Sequence, residues 1–120
     1  HIGLMPQSVH SQGGYYKHGK TSHEKNKLMQ EAIALEDAGC FAVVLECVES
    51  DASQVITEKL TIPTIGIGSG PFCQGQVLVL NDLLGMTPNA PNFVKPLANF
   101  YLEKSKIIDS YLNNNHDTYN

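Results

Sequence analysis

The pattern of apolar and polar positions divides the chain into short apolar runs separated by stretches of helical periodicity. The run Phe41-Ala42-Val43-Val44-Leu45 leads into Glu46-Cys47-Val48. Its unbroken series of branched and small apolar residues predicts a strand over Ala42–Leu45 buried on both faces, as in a parallel sheet. Thr64-Ile65-Gly66-Ile67 predicts a second buried strand, and Gln76–Leu80 a third. His1-Ile2-Gly3-Leu4 reads as the end of another, stopped by Pro6. Between these runs the period changes to that of a helix. Leu28, Ala32 and Leu35 stack on one face, with Met29 and Ile33 beside them. Thr21 and Glu24 have the spacing of a capping box, and Gly39 stands where a left-handed C-terminal cap belongs. Ser50 or Asp51 is expected to cap a second helix carrying Val55, Ile56 and Leu60, ended by Ile62-Pro63. The last long helix is predicted over about Pro96 to Asn113. Leu97, Phe100, Tyr101, Ile107, Ile108, Tyr111 and Leu112 fall on one side of it, as core or subunit contact. The polar tail, residues 114–120, is expected to fray.

Strands alternating with helices are the signature of parallel α/β folds. Four short strands with two or three helices make about half of an eight-stranded α/β barrel, which needs ~250 residues. The expected fold is therefore the C-terminal half of a (β/α)8 barrel, as one partial domain over residues 1–120. The chain opens at His1 without an initiator methionine, as a piece of a longer protein would. A free-standing half would leave two sheet edges open.

Composition narrows the function classes. The chain is 42% hydrophobic and 17% charged, which places it among globular proteins and not among disordered ones. Its net charge is −4, from eight lysines, no arginine and twelve acidic residues. A nucleic-acid surface would want clustered cations and arginine forks, so no nucleic-acid partner is expected. The three cysteines, Cys40, Cys47 and Cys73, contain no CxxC pair, and they read as reduced thiols of a cytosolic protein. No apolar stretch is long enough to span a membrane, and no signal peptide is expected.

Candidate chemistry centres on Glu46. An ionisable group at the C-terminal end of a buried strand is costly unless something pairs or uses it. In α/β barrels, that end of the strand is where catalytic groups sit. Two readings stand side by side on spacing alone. Glu46 is a base or proton shuttle tuned by partial burial, or it is a solvated carboxylate or helix cap. Glu49 and Asp51 fit the capping role better. Gly66-Ile67-Gly68-Ser69-Gly70 follows a strand but lacks dinucleotide-fingerprint spacing. It either lets a ligand approach the backbone or forms a tight strand-to-loop turn. His1, His10, His18 and His23 do not fall at metal-ligand spacings, so no metal site is expected within this chain. His1 differs from the other three in lying at a strand end, level with Glu46. The segment Gly13-Gly14-Tyr15-Tyr16, with Lys17 and Lys20, is either a lid or an exposed loop. Asp82 is expected to cap Leu83-Leu84-Gly85 and is assigned no chemistry.

A string of blocks resembles one family, ketopantoate hydroxymethyltransferase (3-methyl-2-oxobutanoate hydroxymethyltransferase). The blocks run His1-Ile2-Gly3-Leu4 with Pro6-Gln7-Ser8-Val9, Gly13-Gly14-Tyr15, Ala34-Leu35-Glu36 with Ala38-Gly39, and Val44-Leu45-Glu46-Cys47-Val48. Ile56-Thr57-Glu58, Ile62 to Gly68, Gly75 to Leu80 and Asp82 to Gly85 follow in family order. The resemblance implies a barrel of the phosphoenolpyruvate/pyruvate-binding superfamily. It also implies transfer of a one-carbon unit from 5,10-methylenetetrahydrofolate to 3-methyl-2-oxobutanoate, giving 2-dehydropantoate on the route to pantothenate and coenzyme A. It implies Mg²⁺ held by residues that precede the His-Ile-Gly-Leu block, a homo-oligomer and a cytoplasmic location. By the same resemblance Glu46 is the proton acceptor and His1 lines the substrate pocket. Met5, Tyr16-Lys17-His18, Glu49, Gln74, Asn81 and the tail 114–120 depart from the family pattern. Because the metal-binding part is absent, the 120 residues alone are expected to be inactive. Two rival readings are a non-catalytic half-barrel that assembles with partners, and another enolate-forming lyase of the same superfamily.

Overall fold

A computed structural model describes residues 1–4 and 16–113. The glycine pair of the lid-or-loop segment, Gly13-Gly14, with Tyr15, Met5, Pro6 and His10, lies outside the described residues, as does the tail 114–120. The chain divides into two compact units, His1–Val77 and Leu78–Asn120.

The first unit is an α/β structure. Its strands are β1 (Ile2–Gly3), β2 (Val43–Glu46), β3 (Thr64–Ile67) and β4 (Gly75–Gln76), and its helices are α1 (Ser22–Asp37) and α2 (Ser50–Lys59). The strands form one sheet in the order β1-β2-β3-β4, all parallel. In β2 and β3, residues alternate between full and partial burial. Val43 and Leu45 are fully buried, in one cluster with Ile2, Leu28 and Ala32 of α1 and Ala52 and Ile56 of α2. The helices therefore cover one face of the sheet. Val44, Ile65 and Ile67 alternate with the core residues and are only half-buried on the opposite face. The expectation of a strand buried on both faces thus holds on the helix side alone. The strand also sits one residue later than its apolar run, and Phe41, the first residue of that run, is 90% exposed.

Local chemistry accounts for the helix boundaries. At the start of α1 the Thr21 hydroxyl accepts from the Glu24 N–H at 3.2 Å, and the Glu24 carboxylate accepts from the Thr21 N–H at 3.3 Å. This is the capping box that the spacing predicts. Gly39 takes a φ of 88° just past the C-cap, the left-handed conformation that glycine adopts without a Cβ clash. The Glu36 carboxylate accepts from the Thr61 hydroxyl and from the Thr61 and Ile62 N–H groups at 2.7–3.0 Å. These bonds fasten the end of α1 to the turn before β3 and hold the Glu36 carboxyl below its usual range. Lys25 of α1 pairs with Asp51 of α2. Glu49, not Ser50, is the N-cap position of α2, and it makes no side-chain capping bond.

The second unit holds a short helix α3 (Leu80–Leu83) and the long helix α4 (Phe100–Asn113). The predicted strand over Gln76–Leu80 is shorter than its pattern suggests. Only Gly75–Gln76 pairs, and a helical turn begins at Leu80. Asp82 lies inside that turn and is buried, so it does not cap it. Gly85 takes a φ of 64° where a Cβ would meet the Ala98 carbonyl oxygen at 2.0 Å. Around it the Leu97 and Tyr101 N–H groups donate to Leu83 and Gly85 carbonyls at 2.8 Å. The last helix begins four residues later than its pattern because Asn99 starts it, its side-chain oxygen accepting from the Leu102 N–H at 3.1 Å. No residue of α4 is buried, and its stripe from Phe100 to Leu112 is exposed. Among the described residues, no helix is long and apolar enough to cross a membrane.

Candidate active site

Glu46 ends β2 and breaks the strand's alternation. It belongs to the half-buried face yet is only 9% exposed. Register places Gly3 of β1 beside it on one side and Ile67 of β3 on the other. Gly3 brings no side chain, so the space over Glu46 on that side is open to the residue diagonally across. That residue is His1, whose Nε2 stands 3.0 Å from Glu46 Oε2. The structure thus brings together the two site residues that the sequence singles out. Burial raises the Glu46 carboxyl above its usual range, which makes its ionised form a stronger base than an exposed glutamate.

The backbone around Glu46 is tightly specified. Gly3 has a φ of 88°, and a Cβ there would meet the Glu46 carbonyl oxygen at 2.2 Å. That oxygen accepts from the Leu4 N–H at 2.8 Å. Cys47 takes a φ of 52°, the sole positive value at a non-glycine residue among those described. The bend turns the Cys47 carbonyl to the His18 N–H at 2.7 Å, and the Glu49 N–H in turn donates to the His18 carbonyl at 2.8 Å. His18 is thereby pinned beside Val48. Of the segment read as either a lid or an exposed loop, the part around His18 is therefore anchored at the site's edge. Tyr16 and His18 rings stack at 4.7 Å, and Lys17 Nζ lies 3.9 Å from Glu49 Oε2.

The Cys47 thiol is pushed up to about 11 by burial, and then by the neighbouring Glu46 charge, with Lys17 opposing. A thiol so placed stays protonated and is a poor nucleophile. The glycine-rich segment after β3 proves to be a strand-to-loop turn. Gly68 and Gly70 have φ values of 65° and 79°. At Gly70 a Cβ would meet Ser50 Oγ at 2.3 Å, so this glycine lets the loop lie against the start of α2. Ser69, between them, is fully buried. The sequence gives Ser69, Cys47 and His18 no part in the site, where the structure sets all three around the Glu46 backbone. The only signal for Ser69 was a hydroxyl held between two glycines just past a strand.

Among the described residues, no three His, Cys, Asp or Glu side chains converge as a metal site requires. The described residues do not form a magnesium centre. The arrangement can accept a proton at the Glu46 carboxylate and hydrogen-bond a neighbouring group through the His1 imidazole.

The family model described as ketopantoate hydroxymethyltransferase matches residues 1–118. A 3-methyl-2-oxobutanoate hydroxymethyltransferase of Anaeromyxobacter dehalogenans is 57% identical over 96 residues, 79% of this chain and 31% of that protein. The protein of the same name from Gloeobacter violaceus is 50% identical over 111 residues, 92% of this chain and 43% of its own length. One from a Cyanothece species is 49% identical over 113 residues, covering 94% of this chain and 43% of the relative. The chain spans less than half the length of these relatives.

Proposed function

This chain belongs to the ketopantoate hydroxymethyltransferase family, and from that premise we propose that it carries the proton-accepting half of such an enzyme. The observation that carries this reading is Glu46, a buried carboxylate at the C-terminal end of a parallel strand, with the His1 imidazole at 3.0 Å. The sheet is then the last four strands of a (β/α)8 barrel. Strand order, parallel pairing and helices on a single face all support that reading. In a closed barrel the half-buried face of Val44, Ile65 and Ile67 would point inwards.

The substrate is 3-methyl-2-oxobutanoate and the product 2-dehydropantoate, with 5,10-methylenetetrahydrofolate as one-carbon donor. The Glu46 carboxylate takes the C3 proton of the keto acid and becomes a neutral carboxylic acid. The electron pair of the broken C–H bond is delocalised into the adjacent carbonyl as an enolate. Water opens the donor's methylene bridge, breaking both C–N bonds to leave tetrahydrofolate with its two nitrogens protonated and a free one-carbon aldehyde. C3 then bonds to the aldehyde carbon, whose C=O pair moves to oxygen and takes the proton back from the Glu46 carboxylic acid to give the hydroxymethyl group. A raised carboxyl pKa suits this role, because the base must draw a proton from a weakly acidic carbon. His1 orients the carboxylate and lines the pocket. Magnesium would be held by residues outside this chain.

Deuterium uptake at C3 of 3-methyl-2-oxobutanoate, followed by proton NMR, tests the reading in a chain completed with its N-terminal half. Glu46→Gln is expected to cut uptake by about 10²-fold or more while keto-acid binding persists. Unchanged uptake removes Glu46 from the mechanism. A second reading, a non-catalytic assembly module, draws on the wholly exposed apolar stripe of α4. Concentration-dependent association with no affinity for the keto acid would support it instead.

A further inference from the structure

We propose that Ser69 is a positioning residue for Glu46, its hydroxyl clamping the backbone on both sides of the Glu46–Cys47 dipeptide. The proposal deepens the reading of Glu46 as proton acceptor and rests on it.

Ser69 Oγ donates to the Leu45 carbonyl at 2.7 Å, immediately before Glu46. The same oxygen accepts from the Val48 N–H at 3.0 Å, immediately after Cys47. One side chain thus spans the two residues that carry the carboxylate and the bend. The Ile67 carbonyl, at 3.3 Å, is a longer alternative acceptor for the same hydroxyl proton. Ser69 is 0% exposed, so water cannot replace these bonds.

The clamp has something to hold. A non-glycine residue at positive φ stores strain and persists only where its surroundings over-determine it. At Cys47 the determinants are the Val48 N–H bond to Ser69, the Cys47 N–H bond to the Ile67 carbonyl at 2.9 Å, and the Cys47 carbonyl bond to His18. Without the bend the chain would continue as extended strand, and Val48 would not turn its N–H towards β3. The direction of the Glu46 Cα–Cβ bond is set by the peptide planes on either side of it. Ser69 holds the plane before Glu46 through the Leu45 carbonyl, and the Leu4 N–H and the Ile67 carbonyl hold the plane after it. Ser69 grips the next plane again at the Val48 N–H, so the hydroxyl sets where the carboxylate starts out beside His1. The glycines that frame Ser69 fit this purpose. Gly68 and Gly70 curl the loop back at positive φ, and Gly70 sits where any Cβ would strike Ser50. The glycine-rich segment is then a mount for one hydroxyl.

The test is made on the 120-residue chain. Carbon NMR follows the Glu46 side-chain carboxyl through a pH titration in wild type and Ser69→Ala, with Glu36 as the internal control. Amide exchange is read at Val48 and Leu45. Loss of the clamp is expected to speed Val48 exchange about tenfold while Leu45 stays protected. The Glu46 midpoint is expected to move by at least about half a unit while Glu36 stays put. A Glu46 midpoint that does not move in a folded Ser69→Ala chain overturns the proposal, whatever happens at Val48. Should that variant fail to fold, Ser69→Cys keeps a weaker donor and acceptor at the same place. It is then expected to give a smaller Glu46 shift, and no shift overturns the proposal. The titration does not depend on turnover, so failure of the clamp and failure of Glu46 in the C3 exchange assay are read separately.

Discussion

His1 and Glu46 meet across a gap left by a glycine. The imidazole Nε2 and the carboxylate Oε2 are 3.0 Å apart, although the register sets Gly3, not His1, beside Glu46. Same-face residues two positions out of register are normally separated by about 7–8 Å. The contact exists because both side chains are long and the position between them carries none. It gives a buried carboxylate a polar neighbour without the strong charge of a lysine or arginine.

Glu46→Gln is expected to lower C3 exchange by about 10²-fold or more in a chain completed with its N-terminal half, the usual scale for a lost general base. Its effect on stability runs the other way. Burial raises the folded-state pKa of Glu46 above that of the unfolded chain, so the folded state binds more protons in that window. Stability is full below the ordinary carboxyl range and falls as pH rises through the raised folded value. Glu46→Gln should therefore be more stable than wild type near neutrality, with the gain vanishing in acid. Urea unfolding at several pH values measures the difference.

Gly3→Ala is expected to destabilise the chain by roughly 2–3 kcal/mol, through a left-handed φ in a residue with a Cβ and contact with the Glu46 carbonyl. The Glu46 environment should be disturbed with it. Denaturant unfolding gives the stability, and the carboxyl titration reports the second effect. An unchanged midpoint of unfolding would contradict the geometry.

Cys47 is expected to resist alkylation. Its thiol is pushed up to about 11 and is buried, while Cys40 is partly exposed. Iodoacetamide at mildly alkaline pH, read by peptide mass spectrometry, should label Cys40 well ahead of Cys47. Equal labelling would mean that the bend opens readily.

Thr21→Ala removes one half of the α1 capping box and should cost about 1 kcal/mol, with Glu24→Ala costing a similar amount. The double variant should cost less than the sum, because both changes break one reciprocal motif. Thermal unfolding of the three variants is the check.

Much of the fold was legible in the chain because its signals were local. The box at Thr21 and Glu24 and the breaker at Ile62-Pro63 mark their elements by chemistry within a few residues. The run Thr64–Ile67 was read to the residue. The readings failed where an apolar pattern had two outcomes. Val77 to Leu80 looks like a strand, but it leaves the sheet after Gln76 and turns into a helix. Glu46 and His1 were visible as candidates because each stands at a strand end, and the family blocks singled them out. Their mutual distance was not visible, since it depends on register. Ser69 was missed for a related reason. Its partners are backbone groups distant in sequence, at Leu45 on β2 and at Val48 just past it, and no side-chain pattern records a backbone bond.

Every strand of the sheet pairs only with the strand before or after it in sequence. Each strand that emerges from the ribosome therefore finds its neighbour already made, with a helix at hand to cover the new pair. Among the described strands no pairing waits for a segment synthesised much later, which shortens the time their shared edges stand exposed to other chains. Within these four strands the order of synthesis and the order of assembly coincide, and the last of them can join once Gln76 has cleared the ribosome.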